Sequence, residues 1–302
     1  MTPVTPDEGP APTLAAIARP TGTLAMVAMD QRESLRTMMD EAGRGRLPDA
    51  DLVDFKLAVA RALGPLASGF LIDERLGAAR AAMLLPPTCG LILAADALEQ
   101  APGGPVEETA LDEAVVAPEA DLHGAVAFKL LLIWRRDARR AERIALARRF
   151  IEVAARRGVL SVLEPVVRAT QGEVDAGSWD QETAIAEAAR ELSPLGPSLY
   201  KVQVPRAGRG EPAELERACA RLGEAITGPW VVLSQGVAVA DFPGAVRAAC
   251  RGGASGFLAG RALWSDVVGA PDTASALDEV SVPRLARLVD LVDAEARPWW
   301  SA

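Results

Sequence analysis

The chain has 302 residues, half of them apolar, and a formal net charge of −9. This length and apolar content are sufficient for one large hydrophobic core. The negative charge argues against a nucleic-acid partner, because such proteins usually present a basic surface. A local pocket of arginine and lysine could still bind a small anionic substrate. No long apolar run is free of charged residues, so we expect no membrane-spanning helix and no membrane partner.

The termini and cysteines indicate a cytoplasmic protein. Residues 1–12, rich in Pro, Thr and Gly, are expected to be a flexible segment without the features of a signal peptide. We expect residues 13–302 to form a single domain. Cysteines 89, 219 and 250 show no paired spacing, which is typical of reduced thiols in the cytosol.

The chain contains a single histidine, His123. Catalytic zinc sites commonly use two or three histidines, so a zinc-dependent enzyme is disfavoured and we expect no metal. A Ser-His-Asp triad would have to use His123, which lies in a polar stretch typical of a surface loop.

Short apolar segments alternate with helical patterns along the chain. Eight segments predict buried parallel strands, at residues 24–29, 69–72, 90–93, 125–134, 160–163, 199–204, 230–233 and 255–259. Helices are predicted at 34–41, 51–63, 137–157, 180–192, 211–226, 240–250 and within 262–296. The acidic segment 97–124, with Pro and Gly at 102–105, is predicted to be a long loop.

Eight strand–helix units of this length predict a (β/α)₈ barrel, also called a TIM barrel. An open doubly wound sheet is the alternative. It would be favoured by a G-x-G-x-x-G motif after the first strand, where Asp-Gln-Arg stands instead.

Polar residues gather at the predicted carboxyl-terminal ends of the strands, where barrel enzymes place their active sites. They are Asp30, Gln31, Arg32, Asp73, Lys129, Glu164, Lys201, Ser234, Gln235, Gly236, Gly260 and Arg261. Each could alternatively serve a salt bridge or a helix cap, but together they supply the parts of one reaction.

Lys201 lies between apolar neighbours in a strand that ends at Pro205. It could sit on the solvent face of an edge strand. It could also be a neutral amine that attacks a carbonyl and forms a Schiff base. Lys129 in the same barrel mouth would disfavour the charged form of Lys201. Glu164 could transfer protons, and Asp30 could hold a substrate hydroxyl.

The glycine-containing ends of the last two strands suggest a phosphate site. Barrels frequently bind phosphate there, on backbone N–H groups. Ser234, Gln235, Gly236 and Gly260 would frame this site, and Arg261 would add a bidentate cation. A second anionic group of a substrate could meet Arg32.

Several motifs in this order resemble the class I aldolases that include tagatose 1,6-bisphosphate and sulfofructosephosphate aldolases. The motifs lie at residues 30–33 (Asp-Gln-Arg-Glu), 54–56 (Asp-Phe-Lys), 128–131 (Phe-Lys-Leu-Leu), 164–168 (Glu-Pro-Val-Val-Arg), 199–202 (Leu-Tyr-Lys-Val), 233–237 (Leu-Ser-Gln-Gly-Val) and 254–261. The resemblance runs from about residue 20 to 290. It implies a metal-independent barrel without cofactor, in which Lys201 forms the Schiff base and Glu164 is the acid/base. It also implies a sugar-phosphate substrate and a homo-oligomer.

Within this family the chain looks closer to the sulfofructosephosphate aldolases, on the compact segment 253–264, Trp134-Arg135 and the length. That branch cleaves 6-deoxy-6-sulfofructose 1-phosphate to dihydroxyacetone phosphate and 3-sulfolactaldehyde. The alternative substrate is tagatose 1,6-bisphosphate. Gln203 and Gln235 depart from the family pattern. A barrel that binds sugar phosphates without chemistry would not need Lys201, Lys129 and Glu164 together. A phosphosugar isomerase would need two acid/base groups flanking the carbon and no Schiff base.

Overall fold

The computed structural model describes residues 12–45, 47–101 and 104–302. Eight parallel strands form a closed barrel in the order β1-β10-β9-β8-β7-β6-β3-β2. These strands are β1 (Leu24–Met29), β2 (Gly69–Asp73), β3 (Gly90–Ala94), β6 (Ala127–Trp134), β7 (Leu160–Val167), β8 (Leu199–Val202), β9 (Trp230–Val232) and β10 (Gly256–Ala259). The predicted (β/α)₈ barrel is therefore confirmed. Of the segment expected to be flexible, 1–12, only Pro12 is within the described residues.

Helices surround the barrel. They are α1 (Glu33–Met39), α2 (Asp49–Leu63), α3 (Ala78–Ala82), α4 (Glu113–Val116), α5 (Arg140–Arg156), α6 (Gln171–Asp175), α7 (Gln181–Leu192), α8 (Pro212–Ala225), α9 (Phe242–Arg251), α10 (Arg261–Trp264), α11 (Thr273–Ala276) and α12 (Val282–Glu295). Within the described ranges, none of the helices has both the length and the apolar composition to cross a bilayer.

The barrel strands are apolar because both of their faces are buried. One face of each strand packs against the helices, and the other face fills the barrel interior. The interior layer contains Ala28, Ala127, Val162 and Leu199, each of which is almost completely buried. Side chains two positions apart in a strand point to the same side. The residues two positions further on are therefore aimed into the mouth of the barrel, and they are Asp30, Lys129, Glu164 and Lys201.

The segment 97–124 is not the irregular loop that its composition predicted. It forms an antiparallel hairpin of β4 (Asp96–Gln100) and β5 (Val106–Leu111), followed by α4. Asp112 caps α4 by accepting a hydrogen bond from the amide of Ala114 at 3.1 Å. Arg135 holds the hairpin at the barrel by donating to the carbonyl of Glu107 at 3.0 Å. The hairpin closes one side of the barrel mouth.

The chain returns to the opposite end of the barrel after α12. The amide of Trp299 donates to the carbonyl of Gly22 at 3.0 Å, and its side chain packs under the interior layer. Trp300 lies against Gly22, leaving no room for a side chain there. This end is thus closed by apolar side chains, and a ligand has access from the other end.

We predict that Gly256→Ala weakens the seam between β1 and β10. Gly256 has φ of +140°, and an added Cβ would lie 1.9 Å from the carbonyl oxygen of Leu24, its strand partner. Backbone strain and the loss of this pairing should lower the free energy of unfolding by about 3 kcal/mol or more, as measured by urea denaturation. Gly172→Ala in α6, where nothing lies within 4 Å of the added carbon, is the control. Equal unfolding midpoints for the two variants would contradict the prediction.

Candidate active site

A cavity of about 410 Å³ opens at the carboxyl-terminal ends of the barrel strands. Its size is typical of a site for a small organic molecule. Ten of the twelve residues predicted to form the site line it, namely Asp30, Gln31, Arg32, Lys129, Glu164, Lys201, Ser234, Gln235, Gly260 and Arg261. The other two, Asp73 and Gly236, do not.

Lys129 lies at the centre of the charged groups in this cavity. Its Nζ donates hydrogen bonds to Asp30 Oδ2 at 2.8 Å and to Asp96 Oδ2 at 3.0 Å. A third carboxylate oxygen, Glu164 Oε2, lies 2.9 Å from the same nitrogen. These carboxylates come from β1, β4 and β7, so this one ammonium group joins the barrel to the hairpin.

The mutual attraction of these groups outweighs the cost of burying them. Burial by itself would raise the pKa of Asp30, but the ammonium groups of Lys129 and Lys201 hold it well below its ordinary value. Burial would likewise lower the pKa of Lys129, but Asp30, Asp96 and Glu164 raise it well above the ordinary value. Lys129 is therefore a permanent cation that can donate hydrogen bonds, and it cannot serve as a base near neutral pH.

Glu164 is shared between two lysines. Its Oε1 lies 2.9 Å from Nζ of Lys201, and its Oε2 lies 2.9 Å from Nζ of Lys129. The Oε2 atom is buried, yet no donor in the described residues is aligned with it for a hydrogen bond. This oxygen is held by the charge of Lys129, while Oε1 faces Lys201. Glu164 is thus placed to exchange protons with both Lys201 and a bound hydroxyl.

The charges around Lys129 differ from those that we expected. We expected the charge of Lys129 to favour the neutral form of Lys201. Three carboxylates surround Lys129, however, and offset its positive charge locally. The group in direct contact with Lys201 is the carboxylate of Glu164.

Asp73 belongs to a buried ion pair behind the cavity rather than to its wall. Its carboxylate pairs with Lys56 of α2 and accepts a hydrogen bond from the amide of Leu76 at 2.9 Å. Burial lowers the pKa of Lys56, and Asp73 offsets only part of this effect. Asp73 Oδ1 also lies 4.0 Å from Nε of Arg32. We expected Asp73 to contact the substrate, but in the structure it lies behind the cavity and contacts Lys56 and Arg32.

Arg32 is similarly occupied by protein carboxylates. It donates to the carbonyl of Asp96 at 3.0 Å and contacts Asp96 Oδ1 at 3.3 Å. These contacts link the charged groups into one network with equal numbers of cations and anions. The cations are Lys56, Arg32, Lys129 and Lys201, and the anions are Asp30, Asp73, Asp96 and Glu164.

The wall formed by the ends of β9 and β10 offers unpaired polar groups. The Ser234 hydroxyl oxygen accepts from the amide of Gly260 at 3.3 Å, which leaves its own proton available to a ligand. A Cβ on Gly260 would lie 2.8 Å from the carbonyl oxygen of Ala28, so only glycine fits there. Arg261 lines this wall with no carboxylate within 4.0 Å among the described residues. Gly236 lines an adjoining cavity of about 370 Å³ instead.

His123 lies in a loop outside the cavity, as the sequence indicated, between Glu74 and Asp121. Among residues 12–45, 47–101 and 104–302, no group of three or more His, Cys, Asp or Glu side chains is arranged to hold a metal ion.

Sequence reasoning missed several residues of the site. Asp96 and the hairpin residues Leu98, Gln100, Gly104, Pro105 and Val106 are among them, with Arg168 beyond the end of β7. The sequence does contain a signal for the hairpin. The turn motif Pro-Gly-Gly-Pro at 102–105 lies between the two short segments that form β4 and β5. Arg168 has the same strand parity as Glu164. That parity could have placed it in the cavity.

The barrel and this cluster of charges define a class of enzyme. A profile of the DeoC/LacD family aldolases matches residues 24–266, so the chain belongs to that family. It is thereby an aldolase, a carbon–carbon lyase. The chain is 26% identical to the tagatose 1,6-diphosphate aldolases of Listeria monocytogenes and of Listeria innocua, in alignments that cover 93% of this chain and 90% of each relative.

Solved aldolase structures share the fold. Fructose-bisphosphate aldolase from Plasmodium falciparum superposes with a TM-score of 0.66 at 15% identity, covering 94% of this chain and 95% of the other. An archaeal fructose-1,6-bisphosphate aldolase, solved with its catalytic lysine bound to a carbinolamine intermediate, has a TM-score of 0.60 at 15% identity. That alignment covers 93% of this chain and 98% of the other.

We predict that Lys129→Met destabilises the fold in a pH-dependent way. The low pKa of Asp30 in the wild type stabilises the folded state above the ordinary carboxyl pKa near 4, and this stabilisation is lost as the pH falls through the folded-state value. Without Lys129, three buried carboxylates lose their countercharge, and the pKa of Asp30 rises. The loss of stability should be about 3–5 kcal/mol near pH 8 and smaller near pH 4.5.

Urea denaturation across this pH range measures the effect. Arg221→Met, which removes the cation of an exposed pair with Glu182, is the control and should show no comparable pH dependence. A difference between wild type and Lys129→Met that stays constant with pH would contradict the electrostatic account.

Proposed function

We propose that the protein is a class I aldolase in which Lys201 forms a Schiff base with the carbonyl of a ketose phosphate. The observation that carries this proposal is the placement of Lys201 and Lys129 on the two oxygens of one buried carboxylate, Glu164, at the barrel mouth. Lys201 is 4% exposed, so the protein shields its side chain on most sides.

The first stage forms the covalent bond. Glu164 Oε1 accepts a proton from Lys201, and the neutral amine attacks C2 of the ketose. The attacking nitrogen passes one proton to the former carbonyl oxygen, which gives the carbinolamine. Glu164 then returns its proton to the same oxygen, which leaves as water and gives an iminium. The charge network stays balanced, since a positive nitrogen again faces the Glu164 carboxylate.

The second stage breaks the C3–C4 bond. The Glu164 carboxylate beside Lys201 accepts the proton of the C4 hydroxyl. The bonding electrons pass into the iminium and give an enamine, and the aldehyde leaves. Lys129 and Asp30 orient the hydroxyl groups, with Lys129 donating and Asp30 accepting. Protonation of the enamine and hydrolysis release the ketone phosphate and restore Lys201.

The substrate proposed is 6-deoxy-6-sulfofructose 1-phosphate, cleaved to dihydroxyacetone phosphate and 3-sulfolactaldehyde. Its phosphate would lie at Ser234, Gly260 and Arg261. The limited number of free cations supports a sulfonate at the far end. Arg32 is paired with Asp96, which leaves Arg168 and Arg261 as the lining arginines without a carboxylate within 4.0 Å in the described residues. A sulfonate carries one charge, whereas a second phosphate carries nearly two.

The second candidate substrate is tagatose 1,6-bisphosphate. The relatives in the two Listeria species favour it, since their names state this activity. Both substrates would follow the same chemistry at Lys201, and they differ in the anion at C6 and in the configuration at C4.

We predict that borohydride traps a covalent adduct on Lys201. The protein is incubated with each candidate substrate, reduced, and examined by intact mass and peptide mapping. An adduct with the sulfosugar alone supports the first substrate, and an adduct with the bisphosphate alone supports the second. Lys201→Met should form no adduct and should lose cleavage activity. If neither substrate gives an adduct, or if Lys201→Met keeps full activity, the Schiff-base proposal is overturned. That result would favour an isomerase or a binding protein.

We also predict that cleavage does not need a metal ion, because the iminium provides the electron sink that a metal would otherwise supply. Activity should stay within about twofold after dialysis against a chelator. Loss of activity that added divalent cation restores would contradict this prediction.

A further inference from the structure

Arg168 is a cavity arginine whose positive charge has no carboxylate partner among the described residues. Its side chain lines the main cavity, and its Nε atom is buried without a hydrogen-bond acceptor. No carboxylate lies within 4.0 Å of it in the parts of the chain that the structure describes. Burial accordingly lowers the pKa of Arg168, with only a smaller opposing effect from Glu107. Arg168 is half-buried, and an unpaired charge is costly in that position unless a ligand supplies the missing anion.

The backbone holds Arg168 at a fixed place. Its amide donates to the carbonyl of Trp134 at 2.9 Å, which continues the ladder between β6 and β7 by one more residue. Glu164, Val166 and Arg168 are two positions apart along this strand and lie on the same face, and all three line the cavity. At about 3.3 Å per residue, the Cα of Arg168 lies about 13 Å from that of Glu164 towards the cavity opening.

The strand order gives the direction in which a substrate would lie. Arg261 follows β10, Lys201 is on β8, and Arg168 follows β7, in the barrel order β10-β9-β8-β7. A ketose whose phosphate lies at Arg261 and whose C2 meets Lys201 therefore extends towards β7. Arg32 follows β1, and its guanidinium is directed to Asp73 of β2 and Asp96 of β4, away from β8 and β7.

The surroundings of Arg168 leave room for a tetrahedral anion. The adjoining cavity of about 370 Å³ shares Arg168 and Gln235 with the main cavity, so these two side chains stand between the two spaces. Arg32, in contrast, is held by Asp96 and Asp73.

We propose that Arg168 binds the anionic group at the far end of the substrate, on the half that leaves as the aldehyde. This inference rests on the proposed aldolase function and replaces Arg32, the residue that sequence reasoning suggested for this anion. The group recognised is a tetrahedral oxyanion, a sulfonate or a phosphate. The planar guanidinium can bind two of its oxygens at once.

Equilibrium binding of non-reactive hexitols tests the proposal, since they lack the carbonyl and cannot form a Schiff base. Titration calorimetry compares hexitol 1-phosphate with hexitols that carry a 1-phosphate and a second anion at C6. Arg168→Met should weaken binding of the doubly anionic ligands about 10- to 100-fold. Its affinity for hexitol 1-phosphate should change by less than about twofold, which also shows that the variant folds.

Two further variants sharpen the test. Arg168→Lys keeps the charge but lacks the planar fork, so its loss should be intermediate and confined to the doubly anionic ligands. Arg221→Met, on the outer surface, is the control for the loss of one positive charge. An equal loss for all ligands, or no loss in Arg168→Met, would overturn the assignment. A selective loss in Arg32→Met instead would return the far anion to Arg32.

The ligands with 6-sulfonate and with 6-phosphate distinguish the two sources of the anion. Tighter wild-type binding of the sulfonate, lost in Arg168→Met, supports a sulfosugar. Tighter binding of the phosphate, lost in the same variant, keeps the role of Arg168 and favours the bisphosphate. Borohydride trapping with dihydroxyacetone phosphate, which lacks the far half, tests Lys201 separately. Failure of trapping would remove the Schiff base without changing the binding result.

Discussion

The ammonium group of Lys129 is the interaction on which the site depends. It brings together carboxylates from β1, β4 and β7, which would otherwise repel one another in a buried position. Removing one member of such a buried cluster leaves an uncompensated charge and is much more costly than the net gain from forming it. Lys129 therefore has a structural role and, in the proposed reaction, a chemical one, since the same contacts that fix the hairpin also fix Glu164 beside Lys201.

The balance of charges around Lys201 suits a covalent mechanism. In the proposed reaction a cationic iminium nitrogen takes the place of the ammonium that faces Glu164 in the resting site. The surrounding dipoles and charges need little rearrangement between these states. Fixed groups that already suit the charged intermediate are a principal source of enzymatic rate enhancement. The ion pair of Lys56 and Asp73 lies behind the cavity wall, and Asp73 also contacts Arg32.

The strand pattern was readable from the sequence because both faces of a parallel barrel strand are buried. The first strand, at 24–29, was predicted with the bounds that the structure has. Strand parity also placed Lys201 and Lys129 in the barrel mouth. The partners of these lysines could not be read in the same way, since they come from distant strands whose register only the closed barrel fixes. Asp73 was misplaced for this reason, because its partner Lys56 lies on a helix behind the barrel wall.

The hairpin between β3 and β6 was missed because its composition is that of an irregular loop. Its strands are short and polar, and the contacts that order them are made with other elements, such as the bond from Arg135 to Glu107. Arg168 was overlooked for a different reason. Its strand parity with Glu164 indicates the cavity, but the lack of a carboxylate partner among the described residues is seen only in the folded chain.

The hairpin has a further consequence, for how enzymes of this architecture can diverge. Its base, at Asp96, is fixed by Lys129, by Arg32 and by the amide of Leu131. Its far end contributes Gln100, Pro105 and Val106 to the cavity wall and holds none of the reacting groups. Mutations at that end can reshape the space around the substrate while the ion cluster stays intact. Evolution can thus exchange one sugar for another through a short peripheral segment and inherit the chemistry unchanged.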